Sequence, residues 1–256
     1  MSRSAIITGA SSGIGKATAV ALAGEGYDLG LSYNTDEPGI EGTVEEVEAA
    51  NVRAVVRQAD LADPTVGARL VDELAEELGH LDVLVNNAGT GASTPFLEHS
   101  LEDWRHVLDV DLTAGFLCMQ TAARRMVAQG GPGRIIAVTS VHEHVPKLGA
   151  SAYCAAKGGL GLLVKVAALE LADHGITVNA VAPGEIATKL TGQQDEDPDD
   201  NARPGLPAGR PGRAEEIAQA IRYLASPEAS YTTGESLVVD GGLMLMAAEA
   251  NSRLKG

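Results

Sequence analysis

The turn between the first apolar run and the first helix constrains the fold of this chain more than any other segment. An apolar run at residues 5–7 is followed by Thr8-Gly9-Ala10-Ser11-Ser12-Gly13-Ile14-Gly15, and a helix is predicted from about residue 13 to residue 26. Glycines allow a tight turn and a close approach of the backbone to a ligand. The N–H groups at the start of the helix, and its dipole, favour a phosphate there. The segment therefore predicts a strand–turn–helix unit that binds a phosphate group.

This turn has two competing interpretations. Its spacing is G-x-x-x-G-x-G rather than the G-x-G-x-x-G dinucleotide fingerprint, so a purely structural connection stays open. The pair Gly15-Lys16 resembles the end of a P-loop. That motif fails because residue 10 is Ala rather than its first glycine, and residue 17 is Ala rather than Ser or Thr.

Short apolar runs alternate with longer amphipathic stretches along the whole chain. Alternation of this kind is typical of βαβ units and a parallel sheet covered by helices on both faces. The fold class is therefore α/β: a single doubly wound domain over residues 1–256, with a parallel sheet of about seven strands. The strands are predicted at 5–7, 28–33, 53–58, 82–86, 134–139, 176–182 and 236–239. The longer helices are predicted at 101–112, 113–129, 151–174 and 214–225.

Charge and cysteine content exclude several classes of partner. The formal net charge is −16, which repels phosphate backbones and anionic lipid, so neither nucleic acid nor a membrane is expected as a partner. Cys118 and Cys154 are too few for a disulfide framework and are expected as free thiols in the cytoplasm. The chain reaches its glycine turn too early for a signal peptide, and no run approaches the roughly 18 apolar residues of a membrane span.

One biased segment, at about residues 189–213, follows the sixth predicted strand. It contains the acidic run from Asp195 to Asp200 and four prolines within residues 193–212. A solvated surface loop is one interpretation. A lid over the active site is the other, since the segment starts at the ligand-binding edge of the sheet.

Further residues stand where predicted strands end or on the adjoining helices. Asn86-Asn87-Ala88-Gly89 ends the fourth strand, Ser140 the fifth and Pro183-Gly184 the sixth, while Tyr153 and Lys157 are four residues apart on a helix. Together with the glycine turn, these five ordered motifs resemble the short-chain dehydrogenase/reductase family over essentially the whole chain. The resemblance implies hydride transfer between NAD(P)(H) and a carbonyl or alcohol.

Three of these residues suit the chemistry of carbonyl reduction. Tyr153 can give a proton to the oxygen that becomes charged during hydride attack. Lys157 lies one helical turn away on the same face, where its charge favours tyrosinate. Ser140 can donate a hydrogen bond to the same oxygen. The resemblance implies these roles too, and adds that Lys157 holds the nicotinamide ribose.

Asp111 departs from the family pattern. It lies in Val110-Asp111-Leu112-Thr113, at the place where most members carry Asn. By resemblance, the main-chain carbonyl there holds a water that links Lys157 to solvent. A carbonyl survives the change to Asp, so Asp111 is expected to be catalytic, although its carboxylate could perturb Lys157 or the bend of the helix.

The cofactor contacts are also assigned by resemblance. At the end of the second strand, Tyr33 occupies the position where an acid binds the ribose 2′-OH of NAD. The absence of an acid at this position favours NADP(H) over NAD(H). The preference is small, because no Arg or Lys stands there to bind a 2′-phosphate and Asp36 adds negative charge. The predicted cofactor-binding residues are Gly9, Ser11, Ser12, Gly13, Ile14, Gly15, Asn34, Thr35, Asp60, Leu61, Asn87, Ala88, Gly89, Tyr153, Lys157, Pro183, Gly184, Ile186 and Thr188.

The loop His142-Glu143-His144 follows Ser140 and is interpreted as part of the substrate pocket. Two histidines without other clustered ligands make a weak metal site, so no metal is predicted. His142 and Glu185 are expected to line the pocket, and His144 and Glu143 to suit hydroxyl groups.

The segment from Ser140 to Pro146 resembles bacterial glucose 1-dehydrogenases, and the resemblance also reaches 3-oxoacyl-carrier-protein reductases. The acidic chain lacks an evident basic patch for an acidic carrier protein, so a free small carbonyl or hydroxy compound is predicted as substrate. The alternatives are a carrier-protein reductase, a nucleotide-binding protein without catalysis, and an epimerase or dehydratase of the family's extended branch.

A homotetramer is predicted, because the helices around Trp104 and Met119 lie where this family builds its main intersubunit bundle. The apolar ending at residues 243–246 could also cover a neighbouring subunit.

Overall fold

A computed structural model describes residues 3–91, 93–194 and 196–247. Within these residues the chain builds one parallel sheet of seven strands in the order β3-β2-β1-β4-β5-β6-β7. The strands are β1 Arg3–Ile7, β2 Tyr27–Tyr33, β3 Ala54–Gln58, β4 Val83–Asn86, β5 Gly133–Val138, β6 Ile176–Pro183 and β7 Ser236–Val239. Strands β1, β4, β5 and β6 are buried along almost their whole length, which agrees with their apolar runs in the sequence. The predicted α/β class and the parallel sheet of about seven strands are confirmed.

The described residues form seven α-helices, six of which cover the two faces of this sheet. The seven helices are α1 Gly13–Gly24, α2 Glu37–Glu48, α3 Thr65–Leu78, α4 Leu101–Leu108, α5 Ala114–Gln129, α6 Ser151–Leu171 and α7 Ala214–Ala225. Helices α3, α5 and α6 bury their apolar sides in one core, while α1, α2 and α7 form the other on the opposite face. A doubly wound sheet with two apolar layers results.

The strand order reverses between β1 and β4, and this reversal positions the ligand cleft. From β1 the chain builds outward through β2 and β3, then returns to β4 on the other side of β1. The loops after β1 and β4 therefore diverge to opposite faces and leave a crevice at the carboxyl ends of the strands.

A π-helical turn at Asp109–Thr113 joins α4 to α5. The sequence predicts two separate helices that meet between residues 112 and 113, whereas the structure has one helical segment with this wider turn inside it. Such turns occur mostly at functional sites. Here the turn buries Asp111.

Helix α6 corrects one expectation about hydropathy. With the 3₁₀ turn that follows it, the segment Ser151–His174 has a mean hydropathy of 1.4 in its most apolar 18-residue window and could span a membrane by length and composition. The expectation that no segment approaches this composition is wrong for α6. One side of this helix packs on the sheet, with Leu160 and Val164 in the core, as core helices of soluble domains do.

The segment after β6 is held by ion pairs. Arg213 contacts Asp197 and Asp199 at 2.7 Å each, and Arg210 contacts Glu216 at 2.7 Å. The acidic run is therefore partly neutralised, rather than presenting its full negative charge as the sequence suggests. Asp195, within that run, lies outside the described residues.

Both cysteines are free thiols, as predicted. Burial raises the pKa of the Cys118 thiol to about 12, so this residue behaves as a packed apolar side chain.

Candidate active site

An open cleft of about 660 Å³ lies at the carboxyl ends of the strands. Every residue that the sequence assigned to the cofactor lines it, from Gly9 in the turn to Thr188 after β6. Ser140, Tyr153, Lys157 and Asp111 line the same cleft. Residues that are up to 179 positions apart in the chain are thus brought to one surface.

The glycine turn has the shape that a pyrophosphate requires. Gly9 has a φ of +68°, and a Cβ atom on it would lie 2.9 Å from the Cα of Ala88. No side chain caps the N-terminus of α1 at Ser12, so its first N–H groups face the cleft without a capping oxygen. This cradle fits the phosphates of a nicotinamide dinucleotide.

Asn87 and Thr8 fix the turn against the neighbouring strand end. The Asn87 amide donates to the carbonyl oxygens of Thr8 and Gly9 at 2.9 and 3.0 Å. In return, the Thr8 hydroxyl accepts the N–H groups of Asn87 and Ala88, both at 2.9 Å. The two motifs therefore support each other, which ties the cofactor turn to the loop after β4.

The end of the cleft beside the carboxyl end of β2 carries both positively and negatively charged side chains. The Asn34 amide approaches Asp60 Oδ1 at 3.5 Å. Asp36 begins α2 by accepting from the N–H of Gly39 and also lies 3.2 Å from the ammonium of Lys189. Lys189 comes from the segment after β6, so this ion pair joins two sides of the cleft.

Tyr153 and Lys157 project from the first turns of α6 toward the end of β5. The Lys157 ammonium donates to the carbonyl oxygen of Val138 at 3.3 Å and lies 5.5 Å from the centre of the Tyr153 ring. The Ser140 hydroxyl oxygen accepts the N–H of His142 at 3.2 Å. Its own proton is therefore free to be donated to a molecule in the cleft.

The buried carboxylate of Asp111 contacts Lys157 directly. Asp111 Oδ2 lies 3.4 Å from Lys157 Nζ, and the two side chains are 0% and 4% exposed. Burial by itself lowers the pKa of Lys157, but the nearby charges of Asp111, Tyr153 and Glu143 outweigh it. The pKa of Lys157 therefore lies above its ordinary value of 10.5, and the side chain is an ammonium at neutral pH.

Gly89 closes over this ion pair. A Cβ atom at Gly89 would lie 3.3 Å from Lys157 Nζ and 3.4 Å from Asp111 Oδ2. A side chain there would press against both charged groups. The glycine of the motif after β4 thus makes room for the Lys157–Asp111 pair.

His142 and Glu185 lie beside the cleft lining rather than in it. The His142 ring meets the Tyr153 ring edge-on at 6.3 Å, and its Nδ1 lies 3.1 Å from the Val145 carbonyl oxygen. Glu185, between Gly184 and Ile186, accepts hydrogen bonds from Arg203 and Gln193 of the segment 189–213 at 2.8 and 3.0 Å.

Two carboxylates near the site, Glu185 and Glu143, are held by hydrogen bonds or ion pairs. Burial raises the pKa of Glu185. The hydrogen bonds from Gln193 and Arg203 and the nearby positive charges lower it by more, so the pKa of Glu185 lies below its ordinary value. Glu143 does not face the pocket. It is buried and contacts Ser236 and His144 at 2.5 and 2.8 Å, and a Cβ on Gly161 of α6 would lie 2.8 Å from its Oε2.

Sequence reasoning missed several residues that line the cleft. They are Ser32, Ala59, Thr90, His106, Val110, Val138, Thr139, Lys189, Leu190 and Thr191. Thr90 could have been suspected, because it directly follows Gly89. Lys189 gave no local signal, since its proximity to Asp36 arises only from the fold. Within the described residues, no group of three or more His, Cys, Asp or Glu side chains is arranged to hold a metal ion.

Comparison with known proteins agrees with this geometry. Residues 9–244 match the family model described as enoyl-(acyl carrier protein) reductase. An uncharacterized oxidoreductase, YohF, of Escherichia coli K12 is 49% identical, covering 98% of this chain and 99% of that protein. A 3-oxoacyl-[acyl-carrier-protein] reductase of Synechocystis is 42% identical, with coverage of 94% and 96%. The crystal structure of acetoin dehydrogenase YohF from Salmonella typhimurium matches with a TM-score of 0.93 and 47% identity, covering 97% of this chain and 98% of that one.

Proposed function

Since this chain belongs to the short-chain dehydrogenase/reductase family and is an NAD(P)(H)-dependent oxidoreductase of alcohol and carbonyl groups, we propose that its substrate is a small free hydroxyketone of acetoin's kind, or the matching diol. The observation that carries this proposal is the convergence of Ser140, Tyr153 and Lys157 at one end of the cleft. The likeness to the acetoin dehydrogenase of Salmonella typhimurium supports the size and polarity of the substrate.

The proposed proton steps follow from the positions of these side chains. When bound, the nicotinamide supplies or accepts the hydride. In the direction of reduction, the Tyr153 hydroxyl donates its proton to the carbonyl oxygen. The Ser140 hydroxyl donates a hydrogen bond to that oxygen, since its oxygen accepts the N–H of His142 and its proton has no acceptor among the described residues. Lys157 remains an ammonium and favours the tyrosinate that is left behind.

For the cofactor we propose a small preference for NADP(H) over NAD(H). Tyr33 provides no carboxylate for the ribose 2′-OH, so a 2′-phosphate meets no charge at that position. Lys189 lines the cleft and supplies a cation that a phosphate could bind. Asp36, 3.2 Å from that cation, opposes the same phosphate and keeps the preference small.

We propose that an acyl carrier protein is not the natural partner. Carrier proteins are acidic, so a reductase that binds one needs accessible basic residues. Arg134 is buried and donates to the carbonyl oxygens of Gly133 and Ser226. Arg125 lies 2.6 Å from Asp72. The uncharged segment 128–133 is flanked by Arg124, Arg125 and Arg134, and the last two of these are therefore already engaged.

We propose a homotetramer in the cytoplasm. The outer sides of α5 and α6 expose apolar side chains, including Phe116, Leu162, Val166 and Leu169. Such a surface favours association with a second copy. Met119 itself is buried in the core, so the contact is expected around it rather than through it. A mass of a single chain in light scattering would contradict the tetramer.

We also propose that residues 1–256 form one domain and that residues 189–213 act as a substrate lid. The hydrogen bonds from Arg203 and Gln193 to Glu185 support this, because they tie the segment to the loop after β6 beside the cleft. Glu185 and His142 are proposed to border the substrate pocket.

The decisive experiment is a panel of substrates assayed with both cofactors by nicotinamide absorbance. Acetoin, other hydroxyketones, polyols, glucose and acetoacetyl carrier protein are compared at equal concentration. We expect the largest kcat/KM for a small hydroxyketone or diol. A much larger kcat/KM for the carrier-bound substrate would replace this proposal with a 3-oxoacyl-carrier-protein reductase.

The Tyr153→Phe variant tests the mechanism within the same panel. It removes only the hydroxyl, so turnover should fall by about 10²–10⁴-fold while the cofactor still binds. Near-normal turnover would show that Tyr153 is not the proton donor.

A further inference from the structure

The two oxygens of the Asp111 carboxylate have different contacts. Its Oδ1 accepts the N–H of Thr90 at 2.7 Å, while its buried Oδ2 has no hydrogen bond of good geometry within the described residues and lies 3.4 Å from Lys157 Nζ. The side chain is fully buried at the π turn. A charge in such a place acts on its neighbours with little screening by water.

We propose that Asp111 is a positioning residue whose carboxylate balances the charge of Lys157 and thereby sets the pH range in which Tyr153 exchanges its proton. This inference rests on the proposed function, because it assumes that Tyr153 is the proton donor and acceptor. It assigns a role to the side chain of Asp111, whereas the catalytic role implied by the resemblance uses the main-chain carbonyl and the sequence indicates only that the carboxylate could perturb Lys157.

The direction of the effect follows from electrostatics. An isolated ammonium at Lys157 would favour tyrosinate strongly. A carboxylate beside that ammonium cancels part of its field at Tyr153 and makes the tyrosinate less favourable. As long as Lys157 remains an ammonium, removal of the Asp111 charge should therefore let Tyr153 act as a base at lower pH. With an effective dielectric near 20 and a separation of several ångströms, one charge displaces the profile by about one pH unit.

Other charged or titratable groups face the same side chains and must be separated from Asp111. Glu143, from the turn after β5, is buried and acts on Lys157 through its charge. The His142 ring packs against the Tyr153 ring. His106 of α4 lines the cleft. Since these groups stay in place when Asp111 is substituted, a shift in that variant reports the Asp111 charge.

The test is the pH dependence of kcat/KM for alcohol oxidation, in which Tyr153 must be deprotonated. In Asp111→Asn, the amide oxygen can still accept the Thr90 N–H, and the acid limb should move by about one pH unit toward lower pH. Asp109→Asn removes a charge from the same π turn, at a residue that forms no ion pair with Lys157 within the described chain, and should leave the limb in place. Glu143→Gln should shift the limb in the same direction as Asp111→Asn.

Asp111→Ser also removes the charge and retains a polar atom, so it serves if the Asn variant does not fold. A folded neutral variant whose limb does not move, with lower kcat at every pH, would assign Asp111 a structural role and overturn the inference. Failure of the inference about Asp111 can be distinguished from failure of the proposed function. If Tyr153→Phe is inactive and the limb stays fixed, only the role of Asp111 is wrong; if Tyr153→Phe remains active, the proton-transfer function itself is wrong.

Discussion

Two lysine–aspartate pairs lie at opposite ends of the same cleft, and they are almost equally close. Lys157 and Asp111 are 3.4 Å apart with side chains 4% and 0% exposed, whereas Lys189 and Asp36 are 3.2 Å apart with side chains 62% and 27% exposed. Distance therefore does not distinguish them. Their surroundings do, because Coulomb energies scale inversely with the effective dielectric.

The buried pair is costly to assemble and damaging to break. Taking two charges out of water carries a desolvation penalty that their attraction only partly offsets, so such a pair is weak evidence for stability. Its retention beside Tyr153 is better explained by chemistry. The exposed pair costs little to form and contributes little, since water and salt screen it and two flexible side chains must be ordered. It can open to admit a ligand at small energetic cost.

The largest difference between the pairs should appear when their lysines are removed. Lys157→Met leaves the Asp111 carboxylate buried without a counter-charge, so we expect a loss of about 3–5 kcal/mol in the free energy of unfolding. We also expect turnover to fall by about 10²–10⁴-fold, because Lys157 supports the proton donor. Urea unfolding and steady-state assays measure the two effects.

Lys189→Met is the matched control for this comparison. It should change the free energy of unfolding by less than about 1 kcal/mol. Equal losses of stability in the two variants would show that burial does not separate the pairs.

The next largest effect is expected on the preference between NADP(H) and NAD(H). In Lys189→Met, kcat/KM for NADP(H) should fall by about tenfold, the loss of one charge-assisted hydrogen bond, while the value for NAD(H) stays within about twofold. Lys16→Met is the control. Lys16 directly follows the glycine turn, pairs with Glu46 at 2.8 Å and is not among the residues that line the cofactor cleft. A parallel fall with both cofactors would remove Lys189 from phosphate recognition.

Asp36→Asn tests the same site from the other side. Loss of this carboxylate frees Lys189 and removes a repulsion, so the ratio of kcat/KM values should move toward NADP(H). A shift toward NAD(H) would instead assign Asp36 to the ribose hydroxyls.

These two ends also differ in how well the sequence predicted them. The sequence predicts Tyr153, Lys157 and Ser140 because they belong, with the glycine turn, to five ordered motifs that together resemble those of the short-chain dehydrogenase/reductase family. Each motif is local in the sequence, so it can be recognised without knowledge of the fold. The fold class followed from the alternation of apolar runs with amphipathic stretches.

What the sequence could not predict depends on contacts between distant segments. The Asp36–Lys189 pair joins residues 153 positions apart, and no periodicity encodes it. The π turn that buries Asp111 differs from an ordinary helix by a single residue per turn, which leaves no composition signal. The buried orientation of Glu143 depends on Gly161 and Ser236, which lie on two other elements.

The smallest expected effect concerns a third charged contact, at the start of α7. It tests whether one exposed pair can differ from another in its contribution to stability. Glu216 accepts two hydrogen bonds from Arg210, at 2.7 and 2.9 Å, and one from the N–H of Arg213 at 2.7 Å. The Arg210 hydrogen bonds, then that backbone bond and the charges of both arginines, outweigh burial and lower the pKa of Glu216 to about 2. Because the folded pKa is below the ordinary value of 4.5, the stabilisation is present above pH 4.5 and is lost as the pH falls toward 2.

The difference in unfolding free energy between the parent protein and Glu216→Gln should therefore be constant near neutral pH and shrink between pH 4.5 and about 2. Since this side chain is 43% exposed, screening limits the difference to about 1 kcal/mol. Glu215→Gln is the control, because it changes a neighbouring acid in the same first turn that forms no ion pair within the described residues. Urea unfolding at several pH values measures both variants. A difference for Glu216→Gln that grew as the pH fell would contradict the assigned sign, and would mean that the paired carboxylate does not stabilise the start of α7.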